Sequence, residues 1–136
     1  MKALSSPRAL RAVLILDAVA SAVTTLLLIE GAGLLAVPFG LPELFLRAAG
    51  LVLIPFVLFV GWAATREAPP VPVVWAIISA NALWVVASAI FLLGPWVQPT
   101  ALGTGFVIAQ AIAVGLFAEL QFIALWRRRA GVFSEA

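Results

Sequence analysis

The residues of this chain that could do chemistry are few, and they lie inside long apolar runs: Asp17, Glu30, Arg47, Asn81, Trp84, Ser88, Gln110 and Glu119. On a helix, at ~100° per residue, Asn81, Trp84 and Ser88 share one face. A carboxamide, an indole N–H and a hydroxyl then look the same way. Such groups in an apolar setting need hydrogen-bond partners on neighbouring helices. Counting along each helix sorts the rest by depth. Asp17 lies six residues after Arg11, Asn81 six after Trp75, and Glu119 eight before Arg127. At 1.5 Å per residue all three sit ~9–12 Å from the same end. We therefore expect one polar layer of Asp17, Asn81 and Glu119. Its chemistry is either hydrogen bonding between helices or a proton relay, cation relay or seat for a cationic substrate. Gln110 and Ser88 lie ~12–15 Å from the opposite end, so Gln110 suits Ser88 and the Trp84 indole. Glu30 is 19 residues after Arg11 and Arg47 is 19 before Arg66, which makes them level on adjacent helices. That spacing predicts an outer ion pair, either clipping a hairpin or leaving Arg47 to receive an anionic ligand or lipid head group.

These residues must be held by elements that composition identifies. The chain has 136 residues, 65% hydrophobic and 10% charged, with a mean hydropathy of +1.20. A soluble domain of this length needs a polar surface that this chain lacks. Four apolar runs, about 9–30, 42–64, 71–93 and 101–126, are each long enough to cross a bilayer, which takes roughly 20 residues. The expectation is one all-α membrane domain over 1–136, an antiparallel up-down bundle of four transmembrane helices, since short connections make neighbours antiparallel. There is no Cys, His or Tyr and one Met, at the start. Disulfides, thiolate or imidazole metal sites and haem ligation are thereby excluded, and neither cofactor nor metal is expected. The first residues resemble a signal peptide, but Asp17 interrupts the apolar region and the run continues through Ile29. We read it as an uncleaved first span.

The connections are informative. Residues 31–41 are apolar and Gly-rich, with Pro38, and should lie on the membrane surface or dip into it. Residues 65–70 form a short polar turn in which Pro69 and Pro70, with Pro72, stop one helix and open the next. Seven of the eight basic residues (Lys2, Arg8, Arg11, Arg66, Arg127, Arg128, Arg129) fall at one side. The positive-inside rule makes that side cytoplasmic, with both termini inside. Trp62, Trp75 and Trp126 should mark the inner interface and Trp96 the outer.

Overlaying the two halves suggests a 2+2 duplication. Asp17 and Asn81 are 64 apart, as are Thr24 and Ser88, and Arg47 and Gln110 are 63 apart. Gln110 and Gln121 share a face of the last span, with Glu119 on the other side. Ala101, Gly105, Ala109 and Ala113 form a small-residue series that should mark close helix packing, as should Gly50 and Gly61. No Ser-His-Asp set, zinc-protease motif, Walker loop or Rossmann fingerprint is present, so no enzyme is expected.

With the motifs Leu16-Asp17-Ala18, Leu46-Arg47-Ala48-Ala49-Gly50-Leu51, Asn81 to Ser88, Thr100 to Gly103, Ala109-Gln110-Ala111 and Ala118 to Gln121, the chain resembles the small four-span integral membrane proteins widespread in bacteria. That group has no assigned activity. The resemblance implies fold and an inner-membrane location and brings no mechanism. The Gly/Arg/Asn signature of fluoride channels and the early Ala-Glu of small multidrug exporters are missing. The expected role is a structural or accessory membrane subunit acting through helix contacts. The alternatives are a small transporter or channel using the Asp17, Asn81 and Glu119 layer, or a binder of lipid or another apolar ligand around Trp84. Expected partners are membrane lipids and either a second copy or another membrane protein; nucleic acid is excluded by the small net charge.

Overall fold

The computed structural model describes residues 7–134, and every element in it is a helix. They are α1 (Pro7–Glu30), α2 (Ala32–Phe39), α3 (Glu43–Ala64), α4 (Val71–Leu93) and α5 (Ala101–Ser134). α1, α3, α4 and α5 are each long and apolar enough to cross a membrane, so this is a multi-pass membrane protein with a four-helix bundle. The expected spans and the observed helices agree to within a residue or two at most ends. The exception is α5, which continues well past Trp126.

α1 packs closely on α3, α4 on α5, and α1 on α5, whereas α3 and α4 touch only sparingly. Three of the four seams around the bundle are thus closed and the α3–α4 seam is loose. The α1–α3 seam is tight because of Gly50. A Cβ there would come within 2.6 Å of Ile29 Cγ1 and 3.3 Å of the Thr25 carbonyl oxygen, so only a residue without a side chain allows the approach. Gly61 meets nothing within 4 Å, and Ala101, Gly105, Ala109 and Ala113 are all exposed. Those small residues therefore do not mark tight packing within the chain, contrary to expectation.

Arginine closes the bundle at one end. Arg11 Nε donates to the Ala64 carbonyl at 3.0 Å and Arg128 Nη1 to the Pro69 carbonyl at 2.8 Å. Ala64 is the last residue of α3, where unpaired carbonyls carry partial negative charge and attract a cation. This fixes α1 and α5 against the α3–α4 turn and makes successive spans antiparallel. Arg66 stacks over Trp62, 4.9 Å from the ring centroid.

The 31–41 connection is itself mostly helical. α2 ends at Gly40, whose φ of +63° is left-handed and free of strain only in glycine. Ala32 and Phe39 are buried, while Leu34 and Val37 are 83% and 85% exposed. α2 therefore caps the end opposite the arginines and keeps an apolar face outward. Thr100 ties it down. Its Oγ1 donates to the Pro38 carbonyl at 2.6 Å, its N–H to the Phe39 carbonyl at 3.0 Å, and its Oγ1 accepts from the Gly103 N–H at 3.1 Å. One residue thus N-caps α5 and holds the end of α2.

Candidate functional site

Two polar clusters stand inside the bundle, one above the other. The deeper one, nearer the arginine end, centres on Asp17, which is wholly buried. Asn81 Nδ2 donates to Asp17 Oδ2 at 2.8 Å and to Gln121 Oε1 at 3.1 Å. Gln121 Nε2 donates to the same Oδ2 at 2.6 Å, and Ser21 Oγ donates to Oδ1 at 3.2 Å. α1, α4 and α5 are thereby cross-linked by neutral donors on one carboxyl group.

The expected layer is thus corrected in one member. Asp17 and Asn81 meet, but Glu119 is exposed on the outside of α5 and Gln121 takes its place. Two residues along a helix turn the side chain by ~200°, so Glu119 and Gln121 differ little in depth and point opposite ways.

The second cluster joins α4 to α5. Trp84 Nε1 donates to Gln110 Oε1 at 2.7 Å, and Gln110 Nε2 donates to Ser88 Oγ at 3.1 Å and to the Val107 carbonyl at 2.8 Å. Ser88 Oγ in turn donates to the Trp84 carbonyl four residues back, at 2.8 Å. The structure therefore brings Trp84, Ser88 and Gln110 together. Among the described residues, no buried side-chain nitrogen or oxygen lacks a hydrogen-bond partner.

The outer ion pair differs from the expected one. Arg47 Nη2 contacts Glu43 Oε1 at 2.8 Å, one helical turn away, and Glu30 is exposed and has no ion pair with any described residue. A partner at i−4 on the same helix needs no alignment of two separate helices, so it wins. A double-mutant cycle in detergent should show Arg47→Ala additive with Glu30→Gln. The same cycle with Glu43→Gln should show a coupling of only ~0.3–0.5 kcal/mol, since both partners are about half exposed.

The duplication pattern meets the structure unevenly. Thr24 and Ser88 behave alike, each bonding the carbonyl four residues back. Asp17 and Asn81 bond to each other. Arg47 and Gln110 do not correspond, one being outside and the other inside.

Between and beside the clusters runs a cleft. One lobe, of about 480 Å³, is lined from all four spans and includes Ser21, Thr24, Val52, Asn81, Trp84 and Gln110. The other, of about 400 Å³, extends toward α2 and includes Thr24, Leu41, Phe45, Val52, Trp84 and Phe106. Thr24, Val52, Trp84, Ala87 and Gln110 line both lobes, so the two adjoin. Val52 of α3 and Leu83 of α4 both line the first lobe, are 65% and 68% exposed, and flank the loose α3–α4 seam. Toward α2 that seam is bridged by the stacked rings of Phe45 and Phe91, 4.5 Å apart. No residue type in the sequence announces this cleft; it lies beside the seam where α3 and α4 touch only sparingly.

The lining suits apolar matter. Its few polar side chains already have partners within the protein, and among the described residues no cluster of acidic side chains could hold a metal. Compared with family models, curated proteins and solved structures, the chain matches none.

Proposed function

We propose that this is a bacterial inner-membrane protein, with both termini cytoplasmic, that takes a single apolar chain from the bilayer into its central cleft through the α3–α4 seam. One observation carries the reading: two adjoining, mostly apolar lobes between the spans, beside the loose α3–α4 seam, whose polar side chains already have partners within the protein. Its lobes fall within the ~300–1,000 Å³ range of small-molecule sites. They are too small for another helix. One turn of helix, a cylinder ~10 Å across and 5.4 Å long, takes about 420 Å³ (π × 5² × 5.4), more than the smaller lobe and most of the larger. An acyl or isoprenoid chain is thin enough to enter and makes no polar demand. Native mass spectrometry of the protein released from mild detergent should show one retained chain-bearing molecule per bundle. A bare protein under conditions that preserve the fold would reject the reading.

Transport is the second reading. Ser21 and Asn81 line the cleft while both donate to Asp17, so a molecule in the cleft would end against the hydrogen-bond shell of a carboxyl group. An accessory role through helix contacts would instead use the outer faces of the bundle. The orientation has its own test: reporter fusions after Ala64 and Arg129 should report cytoplasm, and fusions near Phe39 or Gln98 the exterior. An exterior signal after Ala64 would overturn the assignment.

A further inference from the structure

α5 turns one face away from every other helix. Along it Ala101, Gly105, Ile108, Ile112 and Glu119 recur at spacings of four, three, four and seven, the 3.5-residue period of a helix-on-helix seam. All five are exposed. Ile108 and Ile112 are 46% and 59% accessible, and a Cβ on Gly105 would meet no atom within 4 Å.

Glu119 is the residue that does not fit lipid. It makes no hydrogen bond or ion pair with any described residue. It lies seven residues before Trp126, ~10 Å from the nearer end of the apolar stretch. Cα–Cβ bonds lean toward a helix N-terminus, so its carboxyl is carried away from that nearer end and toward the middle of the span. Snorkelling out is therefore opposed by the direction of the side chain. Intramembrane carboxyls almost always face protein or water, because lipid tails offer no hydrogen bond.

We propose that this face of α5 is an interface between two copies of the chain, in which the two Glu119 carboxyl groups meet. All copies insert in one orientation, so two α5 helices lie parallel. A two-fold axis along the membrane normal then brings like residues together. A carboxyl group is self-complementary when a pair shares a proton, so a second copy supplies what Glu119 lacks without any other polar partner. Gly105 and Ala101 let the two backbones approach near the other end. The heptad spacing, being the same in both copies, keeps the seam in register over the length of the span. The face lies away from the α3–α4 opening, so it stands or falls independently of the cleft.

The chain contains no cysteine, so single cysteines report contacts directly. In native membranes Ile112→Cys should form a disulfide-linked dimer on oxidation, and Leu51→Cys, 58% exposed on α3, should not. Gly105→Phe, which separates the backbones, should lower the Ile112→Cys yield about tenfold, equivalent to ~1.4 kcal/mol of association. Glu119→Lys should do the same by like-charge repulsion. Glu119→Gln should keep the dimer, because carboxamides also bond to each other. Counting subunits by photobleaching in bilayers keeps the test valid for any variant that folds poorly, since the unmodified chain should itself be dimeric. Equal cross-linking at Leu51→Cys, capture of a different protein by Ile112→Cys, or single bleaching steps for the unmodified chain would each overturn the proposal.

Discussion

Asp17→Ala is expected to lower the stability of the bundle by about 3 kcal/mol in a reversible detergent unfolding assay, while Asp17→Asn costs under about 1 kcal/mol. Three side chains on α1, α4 and α5 spend hydrogen bonds on one carboxyl group. Removing the acceptor orphans Gln121 Nε2, the Ser21 hydroxyl and one Asn81 hydrogen at once. Each buried orphan costs ~1–3 kcal/mol, tempered by the ~0.6 kcal/mol average of measured hydrogen bonds between membrane helices. Asparagine keeps an acceptor oxygen in place. Asn81→Leu should cost less, near 1 kcal/mol, because Gln121 and Ser21 still serve Asp17. If instead the cluster is a transport site, Asn81→Leu should leave folding unchanged and abolish flux in reconstituted vesicles. Equal stability of Asp17→Ala and the unmodified protein would mean the cluster does not hold the helices together.

Ala87→Phe should remove the bound chain without unfolding the protein. Ala87 lines both lobes of the cleft and is exposed to it, so a ring there fills the waist rather than an already packed core. Overpacking costs ~1–3 kcal/mol where no space exists; here the cleft supplies the space. The expected result in native mass spectrometry is loss of the chain-bearing species, by about tenfold or more, at an unfolding midpoint equal to or above that of the unmodified protein. Retention at the original level would place any bound molecule outside the cleft.

Length and apolarity made the four spans legible, because a bilayer imposes about 20 apolar residues per crossing. The partners Trp84, Ser88 and Gln110 were legible too, since depth and helical angle agreed for all three. Glu119 was misplaced because depth was matched without angle, and Gln121, two residues on, held the inward direction. The level placement of Glu30 and Arg47 on two helices does not outweigh Glu43, a turn away on Arg47's own helix. α2 is not evident in the apolar, Gly-rich 31–41 connection with its Pro38, although the eight residues between Gly31 and Gly40 suffice for two turns. The cleft left no trace in the sequence. Every span is apolar around most of its circumference, so residue pattern does not distinguish a face that meets a helix from one that meets a gap.

The most direct measurement of the central claim is quenching of Trp84 by bilayer lipids brominated along their chains. It needs a protein in which Trp62, Trp75, Trp96 and Trp126 are replaced by phenylalanine. Trp84 is 13 residues from the arginine end of its span (84 − 71), and Leu51 is 13 from the same end of α3 (64 − 51). A Leu51→Trp protein lacking the other tryptophans is thus a lipid-facing reference at equal depth. The account predicts Trp84 quenching comparable to this reference, abolished by Ala87→Phe. Trp84 left unquenched by lipids that quench the Leu51→Trp reference would contradict entry of a chain between α3 and α4.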